Sequence, residues 1–262
     1  MKKSKTAKPV IILICLYLIV PLALTFLYSV FAEWNEVLPR GLTFSYYGQI
    51  LSDPDFWTSI LRSIIISVLP IFVSTLAVLL AMYVVVVYVP RADKYMQIIC
   101  TIPYAVQGIV LAISVLALYA DAPGFLSNRI LMLTATYSVV VLPYIYQGIR
   151  NSLNAVNASR LIEAAQMLGA GKLYSFFRVV VPNIFSGITI SAMLVMSIIF
   201  GDFVVINIVG GNYFETAQIY MYRAMFMSGQ LTSAIIVILF LVTLAISLFV
   251  FFYRNKNDLQ EE

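Results

Sequence analysis

The sequence predicts an all-α membrane protein with about six transmembrane helices. Of its 262 residues, 62% are hydrophobic and only 11% are charged, whereas a soluble domain has about 45–50% apolar and about 25% charged residues. The mean hydropathy of +0.96 indicates that much of the chain faces lipid rather than water. Long charge-free runs and a one-sided distribution of basic residues support the same fold class.

The composition also excludes several functions. The chain has no histidine, which removes histidine acid–base catalysis and histidine metal ligands. Its two cysteines, Cys15 and Cys100, lie in apolar runs, so we expect neither a disulfide framework nor a CxxC redox site. The net charge of +4 is only the difference between 16 basic and 12 acidic residues. In so apolar a chain it does not indicate a nucleic-acid partner.

Six charge-free runs of at least 20 residues mark the predicted spans. At about 1.5 Å per residue, roughly 20 helical residues cross a hydrocarbon core of about 30 Å. We expect a single transmembrane domain over residues 1–262, with kinks at Pro70, Pro103 and Pro143. The predicted spans are residues 10–32, 63–89, 95–120, 130–149, 182–209 and 229–253.

The distribution of basic residues predicts the orientation. Twelve of the 16 fall on one side of the predicted membrane and four on the other. Because Lys and Arg are enriched in cytoplasmic loops, both termini are predicted to be cytoplasmic. The first apolar run exceeds the about 7–15 residues of a signal-peptide core, so we expect an uncleaved anchor rather than a secretory signal. The four outer basic residues are Arg40, Arg62, Arg129 and Arg223.

The longest outer segment runs from residue 33 to residue 62. Leu42–Leu51 and Phe56–Leu61 predict two short helices, separated by a break at Asp53-Pro54. Aromatic residues in both indicate anchoring at the membrane–water interface.

The longest cytoplasmic segment, residues 150–181, predicts two short helices. In the first helix, four apolar residues recur at the spacing of one helical face. That face could rest on the membrane surface, or it could dock a cytoplasmic partner, with the alanines allowing a close approach. The four residues are Leu161, Ala164, Ala165 and Leu168.

The ends of these helices are also marked in the sequence. Asn157 or Ser159 is a suitable N-cap for the first helix. Gly169 stands where a helix ends with a left-handed residue, a conformation that glycine adopts readily. Leu173, Phe176, Phe177 and Val180 are predicted to share one face of the second helix, and Pro182 is expected to open the fifth span.

This segment resembles a known motif. Glu163-Ala164-Ala165, then Gly169 after three intervening residues, then Val179-Val180-Val181-Pro182 is similar to the EAA motif of ABC importer permeases. The family motif has E-A-A, three residues, G, nine residues, I, one residue and L-P. The spacing matches throughout, and the only departures are Val for Ile and Val for Leu. The resemblance extends to the six-span layout and to the position of the motif between spans four and five.

The resemblance implies the type I ABC importer permease fold and a location in the bacterial cytoplasmic membrane. It implies three partners besides the lipid bilayer: a second permease, identical or related, a cytoplasmic ABC ATPase dimer, and an external solute-binding protein. ATP and Mg²⁺ would bind to the ATPase, in line with the absence of a GxxxxGK[ST] loop here. This chain would carry no cofactor and would not itself be an enzyme. The resemblance assigns ATPase coupling to Leu161, Glu163, Ala164, Ala165, Leu168, Gly169, Ala170 and Pro182.

Asp202 is the one acidic residue well inside the fifth apolar stretch. Because an ionised side chain at depth costs about 2.5–3.5 kcal/mol on insertion scales, it should face water or the protein interior. It could line the pathway and favour a cationic solute, or it could cap a helix or pair with Arg223. The surrounding residues resemble permeases for polyamines, ferric iron, phosphonates and thiamine, and polyamine ranks first.

Two other function classes have less support in the sequence. An ATP-independent secondary transporter would need intramembrane charges or matching repeats, but only Asp202 is a candidate and no halves match. An integral-membrane enzyme would need a cluster of polar catalytic groups, which the sequence lacks.

Overall fold

The computed structural model describes residues 7–34, 39–106 and 108–258, and these are almost entirely helical. A short antiparallel hairpin follows the first helix, with Phe31 opposite Leu42. The strands are β1 (Phe31–Glu33) and β2 (Arg40–Leu42). The helices are α1 (Ala7–Ser29), α2 (Ser45–Ser52), α3 (Pro54–Val87), α4 (Asp93–Thr101), α5 (Gly108–Tyr119), α6 (Arg129–Ala155), α7 (Ala158–Met167), α8 (Lys172–Tyr174), α9 (Val181–Phe200), α10 (Val204–Val209), α11 (Ala217–Ala224) and α12 (Gly229–Asp258).

The chain divides into two compact units. This division does not test the prediction of a single transmembrane domain over residues 1–262, which stays a prediction. The first unit comprises Met1–Ser59 and Ile219–Val242, and the second comprises Ile60–Gln218 and Thr243–Glu262. Within the first unit, the Tyr220 hydroxyl donates a hydrogen bond of 2.6 Å to Asp53 Oδ2.

The core of the second unit lies where α6 packs against α9. Buried side chains recur every three to four residues along each helix, as expected for two facing helical stripes. Small residues lie at the contact and allow the two backbones to approach closely. The buried residues are Leu133, Tyr137, Val141, Ile145, Ile149 and Leu153 on α6, and Ile184, Ile188, Ser191, Val195 and Ile199 on α9.

Six helical regions occupy the predicted places. By length and apolar composition, four of the described helices could cross a membrane, namely Pro54–Val87, Arg129–Ala155, Lys172–Phe200 and Gly229–Phe249. A fifth is the pair Pro90–Ala105 and Gly108–Tyr119, whose directions differ by 90°. In α1, which corresponds to the first predicted span, the apolar part Leu13–Ser29 is shorter than these four helices.

The predicted outer helices are partly wrong. The break at Asp53-Pro54 is present, and α2 begins three residues later than predicted because Arg40–Leu42 form a strand. Phe56–Leu61 is not a separate helix, because α3 starts at Pro54 and continues without interruption to Val87. Proline at the start of a helix lacks only an N–H that would be unpaired there. The second span therefore begins nine residues before residue 63.

Two predicted spans are broken. Span 95–120 consists of α4 and α5, with a 3₁₀ turn over Ile102–Ala105 that contains the predicted kink at Pro103. In the predicted span 182–209, helix α9 ends at Phe200, and a separate helix, α10, begins at Val204 after a turn. Pro143, in contrast, lies inside the continuous helix α6.

Candidate functional site

The candidate site is the segment between α6 and α9. Helix α6 runs past the predicted boundary to Ala155, and the chain then turns at Asn157, which has a φ of 51°. The Asn157 carbonyl accepts hydrogen bonds from the N–H groups of Arg160 and Leu161 at 2.9 and 3.2 Å. Asn157 is thus the N-cap residue, one of the two predicted, but its side chain makes no capping bond.

The end of α7 is a Schellman motif around Gly169. The Ala170 N–H donates to the Ala165 carbonyl at 3.0 Å, and the Gly169 N–H donates to the Gln166 carbonyl at 2.9 Å. These are the two bonds of the motif, which places a left-handed residue just past the helix. Gly169 has a φ of +88°, so the predicted left-handed glycine is confirmed.

The buried face of α7 differs from the predicted apolar face. Ala158 and Ile162 are each only 5% exposed and pack against the rest of the chain. Leu168, in contrast, is 90% exposed, and so is Met167 beside it. The end of α7 therefore presents two large apolar side chains that no described part of this chain covers.

Aromatic contacts hold the segment that returns from α7. Residues Ser175–Val180 form a π-helix, and the Phe176 and Phe177 rings lie 5.3 and 5.8 Å from the Tyr83 ring of α3. The Lys172 Nζ lies 4.8 Å from the centre of the Tyr88 ring, within the range of a cation–π contact. The return segment is thus fixed to the end of α3.

An ion pair fixes the start of the site. Arg150 near the end of α6 donates from Nε and Nη2 to the two carboxylate oxygens of Asp93 in α4, at 3.0 and 2.6 Å. Such a bidentate pair defines orientation as well as distance. Side-chain contacts therefore support the chain on both sides of α7, and the C-terminal end of α7 remains exposed and apolar.

This geometry coincides with a family match. The family described as "Binding-protein-dependent transport system inner membrane component" matches residues 63–257. The chain belongs to this family. It is a permease subunit of an ABC importer and a multi-pass protein of the bacterial membrane.

The names of similar permeases refer to two kinds of solute. A putative 2-aminoethylphosphonate transport system permease protein of Salmonella typhimurium is 20% identical over 202 residues, covering 76% of both chains. The Salmonella paratyphi A protein of the same name matches to the same extent. A spermidine/putrescine transport system permease protein homolog of Mycoplasma genitalium is 26% identical over 176 residues, covering 66% of this chain and 62% of the relative.

Solved structures show the same fold. A bacterial ABC transporter involved in the import of the acidic polysaccharide alginate has a TM-score of 0.68 and 16% identity, covering 95% of this chain and 93% of the matched chain. A second structure, with an alginate pentasaccharide-bound periplasmic protein, has a TM-score of 0.68, 17% identity and coverage of 94% and 91%. The permease therefore has the type I ABC importer fold.

The remaining predicted coupling residues have different surroundings in the permease. Glu163 and Ala164 are exposed, whereas Leu161 and Ala165 are half-buried. Ala170 is half-buried in the turn after Gly169. Pro182 is exposed and does not open the fifth span as predicted, because the helical stretch that contains it begins at Lys172 and continues to Phe200.

Asp202 has the contacts of a capping residue. Its Oδ1 accepts hydrogen bonds from the N–H groups of Val204 and Val205 at the start of α10, at 2.8 and 3.4 Å. Its Oδ2 accepts one from the Tyr137 hydroxyl at 3.0 Å. The capping alternative is therefore present in the structure, and it explains why α10 restarts here. A contribution of the carboxylate to the pathway stays a prediction.

Sequence reasoning missed several residues of the site. Met167 lies outside the i, i+3, i+4, i+7 pattern, and the EAA motif specifies no residue type at its position. Neither the helical periodicity nor the motif could therefore identify it. Tyr83 and Tyr88 lie about 90 residues before the segment they support. The sequence shows that they are aromatic residues at the predicted cytoplasmic end of span two, but it does not show what they contact. Among the described residues, no group of three or more Cys, Asp or Glu could hold a metal ion.

Proposed function

We propose that the permease couples solute import to ATP hydrolysis by docking its α7 tip, Met167 and Leu168, into a cytoplasmic ABC ATPase dimer. The 90% exposure of both side chains carries this proposal. Charged residues on the same short helix, Arg160 and Glu163, are exposed too. A helix with exposed charges that also exposes two large apolar side chains fits a protein groove better than bulk lipid or water.

The supports of α7 suit this role. Because the Arg150–Asp93 pair and the Lys172–Tyr88 contact hold its two ends, force on the tip reaches α6 and α9 rather than bending a loose loop. In the proposed importer, ATP and Mg²⁺ bind only to the ATPase. Both permease termini face the cytoplasm, a second permease completes the pathway, and a binding protein delivers the solute outside.

The proposed solute is a small polar molecule with an ammonium group, a polyamine first and 2-aminoethylphosphonate second. The sequence around Asp202 resembles a branch that includes both, and the named relatives carry these two names. Spermidine, putrescine and 2-aminoethylphosphonate all contain primary amines. Ferric iron and thiamine remain the alternatives from the sequence.

Purification of the tagged permease from its own membranes tests the coupling role. We expect an ATPase subunit to copurify, and Met167→Ser with Leu168→Ser to reduce its recovery about tenfold, as for loss of a central interface contact. Met227→Ser is the matched control, since Met227 is 80% exposed and lies outside the segment. Full recovery of the ATPase with the double variant would reject docking through this tip.

A further inference from the structure

An aromatic pair connects the broken third span to α6. Tyr104 lies in the turn Ile102–Ala105 between α4 and α5, and Tyr144 follows Pro143 near the middle of α6. The two ring centroids are 5.3 Å apart, with the planes inclined at 81°. The side chains nevertheless remain 49% and 39% exposed.

The backbone beside this pair is not that of a lipid-facing helix. Ile102–Ala105 form a 3₁₀ turn and Val106 is extended, so the helical hydrogen bonding of the span is interrupted. In a membrane such backbone is tolerated only where it is buried in protein or lines a water-filled cavity. Ile102 and Val106 are 55% and 41% exposed, so the described residues do not bury the turn. Broken helices within a membrane often mark the solute sites of transporters.

Gln147 indicates the same surroundings. It lies three residues after Tyr144, on the same side of α6, and its side chain is exposed. Within the part of the chain that the structure describes, its amide has no hydrogen-bond partner. An unpaired amide facing lipid is costly, so we expect this face to meet water or polar groups rather than lipid.

We infer that Tyr104 and Tyr144 form a wall of the import pathway that contacts the ammonium group of the solute through the faces of their rings. This inference rests on the proposed function. Aromatic faces carry negative potential and attract ammonium groups without an ion pair. A pathway needs contacts weak enough for release, which an uncharged wall provides. The carboxylate of Asp202 is already engaged by Tyr137 and by two backbone N–H groups.

Uptake by the complete importer in cells tests the wall, with labelled putrescine and 2-aminoethylphosphonate as probes. We expect Tyr104→Leu and Tyr144→Leu each to lower uptake at subsaturating solute about fivefold, chiefly through KM. Tyr104→Phe and Tyr144→Phe keep the ring and should stay within about twofold of the unmodified importer. Phe72→Leu, at an exposed aromatic of α3, is the matched control and should have no effect.

Two results would overturn the wall: normal uptake with the leucine variants, or equal losses with phenylalanine and leucine. If a leucine variant fails to assemble, Val106→Cys in a Cys15→Ala, Cys100→Ala background decides instead. A water-soluble thiol reagent should label it, and putrescine should slow the labelling. Absence of labelling rejects a water-filled pathway at this turn.

The unmodified importer separates this inference from the proposed function. ATP-dependent uptake of only ammonium-free solutes, such as methylphosphonate or ferric iron, overturns the wall and leaves the ATPase coupling intact. Failure of any ATPase to copurify overturns the coupling itself.

Discussion

Gly148 of α6 lies directly against Ser191 of α9, so that a Cβ on Gly148 would come within 1.6 Å of the Ser191 Oγ. The relationship is reciprocal, because a Cβ on Gly187 of α9 would come within 1.9 Å of the Ser152 Oγ of α6. Each serine also donates a hydrogen bond to the carbonyl of the glycine four residues before it, at 2.8 Å for Ser152 and 2.9 Å for Ser191. Two Gly-x-x-x-Ser sequences thus interlock and join the helices on either side of the proposed coupling segment.

The first prediction concerns this double contact. Gly148→Ala and Gly187→Ala should each destabilise the detergent-solubilised permease by about 1–3 kcal/mol, since an added methyl group forces the helices apart. The midpoint of thermal unfolding measures the effect. Gly48→Ala is the control, because a Cβ on Gly48 meets nothing within 4 Å. Unchanged midpoints for both variants would show that the helices do not pack this closely.

The second prediction concerns the backbone of Gly169. Gly169→Val should impair ATPase stimulation while the membrane subunits still assemble, because a β-branched residue at a φ of +88° costs about 1–3 kcal/mol. Space is not the cause, since a Cβ there meets nothing within 4 Å. Gly171→Val is the matched control, because Gly171 has a φ of −68° and equally open surroundings. Equal ATPase activity in the two variants would contradict a role for the left-handed turn.

Glu163→Ala gives a companion measurement to the Gly169 variant. Glu163 is exposed, so the substitution should leave the fold of the permease unchanged. We expect a similar but milder loss of stimulated ATPase activity, because partner groups can compensate for one lost carboxylate. A normal response in both variants would reject the segment as the coupling element.

The third prediction separates the two roles of Asp202. Asp202→Asn keeps an acceptor oxygen for α10 but removes the charge. If the carboxylate favours cations in the pathway, solute uptake should fall severalfold while assembly and basal ATPase activity persist. Asp202→Ala removes the cap as well and should destabilise the protein by about 1 kcal/mol. Normal uptake in Asp202→Asn together with a lower thermal midpoint in Asp202→Ala would leave only the capping role.

The fourth prediction tests the orientation. In a background without Cys15 and Cys100, single cysteines at Gly124 and Asn212 should react with an impermeant reagent added to intact cells. Cysteines at Gly171 and Asn257 should react only after the cells are opened, as the basic-residue asymmetry requires. Labelling of Gly171→Cys from outside would place the coupling segment on the wrong side of the membrane for an ATPase.

The sequence located the helix and turn between α6 and α9 because their signals are local. The left-handed turn at Gly169 follows from the type and spacing of a few neighbouring residues, and those same residues form it. A kink at Pro103 and a possible cap at Asp202 were predicted, but the 90° change of direction in the third span was not, because hydropathy measures lipid compatibility and not the direction of the backbone. The predicted face of α7, which was expected to meet the membrane or a partner, stays a prediction. The pattern did not show that Ala158 and Ile162 form the face that this chain buries.

The continuous helical stretch Lys172–Phe200 has a mechanical consequence. Its 29 residues form a rod of roughly 43 Å at 1.5 Å per residue. Its buried contact with α6 extends from Ile184 to Ile199, and the close approaches at Gly187 and Ser191 lie within it. A displacement of the Lys172 end, transmitted along the rod, would therefore reach both α6 and the turn that Asp202 caps.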